Sequence, residues 1–244
     1  MRFAVIGFPI EHSRSPEIYG ELFSKHGIDA DFLRIAVKKD DLPRLGQITE
    51  GLSGFAVTMP LKRAIIPYLD ELDNNARNCG AVNIVKVSNG KRIGFNTDGD
   101  GLADALIEGG FDPENKRVYI LGRGGAALSA AHALKRRGSD VTLLVRSESG
   151  GEGFRTELFP GVYARADLFI NASPLGMAED EDFGSFSFLN SIEPSAVFDM
   201  VYRRDGKTRL VNAAEERGIL TFDGNRMLYS QALRAFTIFT GIDP

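Results

Sequence analysis

The sequence predicts an α/β protein, on three observations. Residues 118–127 read VYILGRGGAA: an apolar run of β-formers, then Gly122, Gly124 and Ala127 in the pattern G-x-G-x-x-A. A stretch of strong helix formers follows at 126–135 and is closed by Gly138. A second apolar strand then arrives on schedule at 141–145. Strand, tight glycine turn, helix, strand is the setting in which a glycine pattern points to dinucleotide binding. Gly122 would make the turn, Gly124 would let the backbone approach a pyrophosphate, and the helix N-terminus would face that negative charge.

Length and composition set bounds on the rest. At 244 residues the chain is one large domain or two modest ones. An apolar content of 43% and a charged content of 25% are those of an ordinary globular protein. A net charge of −4 gives no basic field, which argues against nucleic acid as a partner. The single cysteine, Cys79, excludes an internal disulfide and fits a reducing, cytoplasmic setting. No apolar run approaches the ~18 residues of a membrane span. The first segment turns polar after Ile10, so it reads as a strand rather than a signal peptide.

Taken in order, residues 3–6 form a strand ending at Gly7. Ser15 before Pro16 is a good N-cap with proline at the first helical position, so a helix is expected over 17–25. That cap explains Ser15 but leaves His12 and Ser13 without a local reason. Residues 30–37 read as a strand and 40–48 as a helix. Residues 55–59 (FAVTM) are a strand stopped by Pro60. Lys62 follows, read as the start of a helix, at the strand end where ligands bind in open α/β sheets; a solvated surface lysine is the plain alternative. Residues 74–83 read as a short helix leading into a strand at 84–87. Cys79, with no basic neighbour, reads as a small core residue. Asn89-Gly90 marks a hairpin with 92–95 as the return strand.

The segment 94–101, GFNTDGDG, lacks the ligand spacing and terminal glutamate of an EF-hand, so no metal is expected. Thr97 or Asp98 would cap a helix over 101–108, which does not exclude a catalytic role for Asp98. Arg146 and Ser147 stand at the end of the strand 141–145. An acidic residue there holds a ribose 2′-hydroxyl, whereas arginine accommodates a 2′-phosphate, so NADP is favoured over NAD; Glu148 argues the other way. An exposed loop is expected over 147–153. Strands follow at 168–171, 196–202 and 220–222, with a helix at 210–217. A closing helix over 227–240 carries Met227, Leu228, Ala232, Ala235 and Phe236 at helical spacing, and Gln231 is the polar residue beside that stripe.

Eight segments in this order resemble the shikimate dehydrogenase family nearly end to end. They are HSRSP at 12–16, VTMPLK at 57–62, GAVN at 80–83 and GFNTDGDG at 94–101. GRGGA at 122–126, NASPLGM at 171–177, DMVY at 199–202 and MLYSQA at 227–232 complete the set. The resemblance implies a two-domain enzyme with a cleft between the domains. An N-terminal α/β substrate domain, 1–97, would be completed by the C-terminal helix 226–244, and a Rossmann-like NADP-binding domain would span 98–225. The implied reaction is the NADP-dependent reduction of 3-dehydroshikimate to shikimate, in aromatic amino-acid biosynthesis, by a monomer or homodimer with no nucleic-acid or membrane partner.

Carried over by motif, Ser13 and Ser15 would bind the substrate carboxylate. Thr58, Asn83, Tyr202 and Gln231 would line the rest, and Lys62 and Asp98 would be the catalytic pair. Gly122, Arg123, Gly124, Gly125, Ala126, Arg146, Ser147, Ala172, Ser173 and Met200 would bind the cofactor, with Gly224 and Met227 flanking the nicotinamide. Hydride transfer to a carbonyl carbon leaves a developing alkoxide, which a cation within hydrogen-bond reach stabilises and protonates. Lys62 can do both.

The chain departs from the family pattern at Ala56, where asparagine is usual, and at Arg123, where a small residue is usual. It departs also at Val145 in place of asparagine, at Arg203 in place of a nearby proline, and at Arg226 in place of glycine. Ala56 motivates one alternative, a paralogue acting on quinate or aminoshikimate with NADP or NAD; a second alternative, from another class, is a non-catalytic nucleotide-binding sensor. The presence of both Lys62 and Asp98 argues against the sensor, because a binding module need not keep the two together.

Overall fold

The computed structural model describes residues 1–146, 153–161, 163–177, 183–203 and 206–244. The chain divides into one unit of Met1–Asp98 with Gln231–Pro244 and a second of Gly99–Ser230.

The first unit runs β1 (Arg2–Gly7), α1 (Ser15–Lys25), β2 (Asp31–Ala36), α2 (Leu45–Ile48), β3 (Gly54–Val57), β4 (Glu71–Leu72), α3 (Asn74–Cys79), β5 (Ile84–Ser88) and β6 (Lys91–Phe95). Its sheet has the order β2-β1-β3-β5-β6-β4. β1 is parallel to both β2 and β3, while β5 is antiparallel to β3 and β6. β1 is an uninterrupted apolar run because both its faces are covered. Ala4 and Ile6 pack with Phe55, Val57, Leu61 and Val82 on one side. Phe3 turns to the other side, its ring 5.4 Å from that of Phe23 and 4.8 Å from that of Phe239. Phe236 also reaches Phe23, so two aromatic rings anchor the C-terminal segment to this unit.

The second unit runs α4 (Asp98–Glu108), β7 (Arg117–Leu121), α5 (Gly125–Arg136), β8 (Asp140–Val145), β9 (Arg155–Leu158), β10 (Leu168–Asn171), α6 (Phe188–Ile192), β11 (Ala196–Asp199), α7 (Arg209–Glu215), β12 (Leu220–Asp223) and α8 (Gly224–Thr240). The division between the units falls inside α4 and α8. The six strands are all parallel, in the order β12-β11-β10-β7-β8-β9. The order reverses between β7 and β10, the switch point at which doubly wound sheets bind nucleotides. β10 and β11 are buried along their whole length. Phe169 and Val197 join Phe159 and Phe188 on one face, and Phe198 stacks on Phe222 at 5.7 Å on the other.

Several local expectations give way to tertiary contacts. α1 begins at Ser15 itself, with Arg14 in the cap position and no side-chain cap. The residues expected as one helix over 40–48 form a 3₁₀ turn, Lys39–Arg44, before α2. Pro43 inside that turn lacks the N–H an α-helix needs. Lys62 starts no helix but sits in a turn. α4 begins at Asp98 rather than Gly101. The strand expected to reach Tyr202 stops at Asp199. β4, β9 and α6 were not expected.

Candidate active site

In the first unit, loops leave the carboxyl ends of β1 and β3 side by side. The Phe8 N–H donates to the Met59 carbonyl at 3.1 Å, and the Thr58 N–H to the Ile6 carbonyl at 3.0 Å. The loop after β1 brings two hydroxyls together: Ser13 Oγ lies 3.2 Å from Ser15 Oγ and accepts the Ser15 N–H at 3.4 Å. Arg34 of β2 fixes this loop, donating to the Ser13 carbonyl from Nε at 3.0 Å and Nη2 at 2.7 Å, and pairing with Glu17 at 2.5 Å. Half-buried Thr58 starts the turn after β3, its carbonyl accepting the Leu61 N–H at 2.9 Å.

That turn carries Lys62, whose Nζ donates to Asp98 Oδ2 at 2.5 Å. The Lys62 side chain is 23% exposed and that of Asp98 only 5%. A carboxylate so buried needs both its oxygens paired. Asn83 supplies the second partner, its Nδ2 lying 2.9 Å from Asp98 Oδ1. The same Nδ2 is 2.9 Å from Thr97 Oγ1 and 3.2 Å from Gln231 Oε1, so two protons are shared among three acceptors. Asn83 Oδ1 accepts the Thr97 N–H at 2.9 Å. Gln231, set beside an apolar stripe in the sequence, thus turns its amide oxygen into this network.

Asn96 completes the frame, accepting the Asp98 N–H at 3.1 Å and donating to the Ala81 carbonyl at 2.9 Å. Asn96 and Thr97 are the residues that sequence reasoning passed over. Their signal was present as the two polar residues before Asp98, of which Thr97 was read only as a possible cap and Asn96 not at all. Cys79 is buried, and burial pushes its thiol up to about 11, which suits a core residue and not a nucleophile.

The second unit gathers its candidate residues at the carboxyl edge of its sheet. Gly122 has φ +120°, and a Cβ there would sit 2.9 Å from the Ala172 carbonyl oxygen, so only glycine fits between the ends of β7 and β10. Gly124, exposed and with open space around it, stands at the N-cap of α5, followed by Gly125 and Ala126 in the first turn. The first N–H groups of a helix have no partner within the helix, so that turn could hold an anion. Arg123 and Arg146 are both exposed; Ser147 and Glu148 lie outside the described residues. Ser173 is tied to Asn171 Oδ1 through its N–H at 3.1 Å and its hydroxyl at 2.7 Å. Gly224 and Met227 are buried, Met200 is half-buried and Tyr202 is 38% exposed. Among the described residues no group of three or more His, Cys, Asp or Glu could hold a metal, and no helix is long and apolar enough to cross a membrane.

Residues 5–85 match the family model for the shikimate dehydrogenase substrate binding domain. A shikimate dehydrogenase (NADP(+)) of Alkaliphilus metalliredigens is 35% identical over 98% of this chain and 91% of its own length. The chain belongs to the shikimate dehydrogenase family. The enzyme of the same name from Pyrococcus abyssi is also 35% identical, over 99% of this chain and 93% of its own. Among solved structures, shikimate 5-dehydrogenase of Thermus thermophilus in complex with NADP(H) and shikimate has a TM-score of 0.89 at 31% identity, covering 100% of this chain and 95% of its own. That of Listeria monocytogenes in complex with shikimate and NAD has a TM-score of 0.83 at 30% identity, covering 99% and 92%. Of the departures from the shikimate dehydrogenase pattern, Ala56 is a buried residue of β3 and Val145 is buried at the end of β8. Arg226 is exposed on α8.

Proposed function

We propose that this protein catalyses the reversible, NADPH-dependent reduction of 3-dehydroshikimate to shikimate. The observation that carries the reading is the Lys62–Asp98 ion pair, held by Asn83 and still open to solvent on the lysine side. The bound cofactor supplies the hydride that adds to the carbonyl carbon. Lys62, donating toward the former carbonyl oxygen, stabilises the charge that grows there and delivers the proton; in the reverse direction it takes that proton back. Asp98 holds the ammonium in place and accepts from a substrate hydroxyl. Asn83, itself braced by Thr97 and Gln231, holds the other carboxylate oxygen. Ser13 and Ser15 donate to the substrate carboxylate, and Thr58, Gln231 and Tyr202 line the remainder.

The second unit's residues fit the cofactor. The turn at Gly122 admits no side chain and Gly124 leaves the α5 N-terminus open, which suits a diphosphate approached by Gly122, Arg123, Gly124, Gly125 and Ala126. Arg146 and Ser147 would take the 2′-phosphate. Ala172, Ser173, Met200, Gly224 and Met227 would receive the nicotinamide half.

Ala56 supports a second reading, a paralogue using quinate or aminoshikimate with NADP or NAD. The test is steady-state kcat/KM for shikimate, quinate and aminoshikimate with NADP⁺ and NAD⁺, followed by the absorbance of the reduced cofactor. Shikimate with NADP⁺ should lead by ~10-fold or more, which is ~1.4 kcal/mol. A lead for another pair selects the second reading, and no turnover with any pair leaves a binding protein.

A further inference from the structure

Asp199 is fully buried at the carboxyl end of β11, and the proposed chemistry makes no use of it. Its carboxylate joins three segments. Oδ1 accepts from Asn171 Nδ2 at 2.9 Å and from the Val201 N–H at 3.1 Å. Oδ2 accepts the Thr208 hydroxyl at 2.6 Å, and Thr208 Oγ1 in turn accepts the Val211 N–H at 3.3 Å, capping α7. Asn171 passes the restraint on to the next loop, through Ser173 and by donating to the Leu175 carbonyl at 2.9 Å. Beyond Asp199 the backbone lies against Gly224, where a Cβ would sit 2.5 Å from the Met200 carbonyl oxygen and 3.1 Å from the Tyr202 nitrogen. Gly122 closes the other end on Ala172. A continuous line of hydrogen bonds and close backbone contacts therefore follows the carboxyl edge of the sheet, and Asp199 stands in the middle of it.

We infer that Asp199 is a positioning residue for cofactor binding, setting the spacing of the loops at 171–175 and 200–202. The inference rests on the reading above that these loops receive NADP(H). An ionised carboxylate offers only acceptors, so it meets all three donors at once. Asparagine of the same shape would turn an N–H toward Thr208 and leave that hydroxyl's proton without its acceptor. Burial pushes the Asp199 pKa up to about 6, and Asp223, its register partner on β12, adds to the rise. β10 and α7 meet it with neutral Asn171 and Thr208. A carboxylate kept in a place that disfavours its charge is better explained by what it positions than by what it contributes to the fold.

The test is the Kd of NADP⁺, measured by calorimetry, alongside the melting temperature of wild type and Asp199→Asn. At pH 8 the variant should bind NADP⁺ ~10-fold more weakly without melting lower, and the gap in Kd should narrow below about pH 6 as the wild-type carboxylate protonates. Thr208→Val should weaken binding in the same direction and Thr208→Ser should restore it. Equal Kd values at pH 8, or a loss that is constant with pH and tracks a lower melting temperature, would overturn the inference. If Asp199→Asn does not fold, an unchanged Kd in Thr208→Val overturns it. A wild type that binds NADP⁺ but does not oxidise shikimate overturns the functional reading alone, and one that binds no NADP⁺ overturns both.

Discussion

Lys62 and Asp98 lie 36 positions apart in the chain and meet at 2.5 Å. Read locally, each had a plain role, one as a surface lysine and the other as a helix cap. The fold overrides both, because the turn after β3 aims the lysine at the first residue of α4, and the carboxylate spends its oxygens on Lys62 and Asn83. Lys62→Ala should therefore lower kcat by roughly 10²-fold or more, the scale of lost general acid–base catalysis, with a smaller change in KM. A variant with near-normal kcat would remove Lys62 from the mechanism. Ser13→Ala should instead raise KM for shikimate by about 1.5–3 kcal/mol in binding, the range for a hydrogen bond to a charged group; an unchanged KM would leave Ser13 as a loop residue.

Asp199 makes a prediction about stability as well. Its folded pKa is raised from 3.8 to about 6. A raised pKa means that its contribution to stability is full below the unfolded value and is lost as pH rises through about 6. Above that range the ionised form burdens the fold by roughly 3 kcal/mol. Asp199→Asn should melt no lower than wild type at pH 8, with any advantage fading toward pH 4. A clearly lower melting temperature at pH 8 would contradict this.

At the level of elements, the strand–glycine turn–helix at β7 and α5 was legible because each of its parts carries its own local signal. β9 was not, since all four of its residues are exposed and no alternation marks it. β4 has two residues and α6 five, too short for a period to register. The residues of the site were legible as motifs, but their bonding was not. Nothing local says that Asn83 will brace Asp98 or that Gln231 will turn inward 148 positions away from Asn83. β8 carries the prediction about cofactor choice. Arg146 leaves its end exposed, and a guanidinium there suits a phosphate through paired donors. Arg146→Ala should raise KM for NADP⁺ while barely changing that for NAD⁺. Equal effects on the two cofactors would place the 2′-phosphate elsewhere.

On the scale of the molecule, each unit sets its candidate residues where parallel strands end. The mixed sheet of the first unit presents the serine pair and the Lys62–Asp98–Asn83 network at the ends of β1 and β3. The doubly wound sheet of the second presents the glycine turn at its switch point. Under the proposed reading, the glycine turn suits the dinucleotide, and the serine pair with the Lys62 network suits a hydroxylated keto acid. The direct test is to incubate the protein with 3-dehydroshikimate and NADPH deuterated at the transferable position, then locate the label. Shikimate carrying deuterium on the carbon that bore the carbonyl is the predicted result; unlabelled product, or no product while NADPH remains intact, would contradict the account.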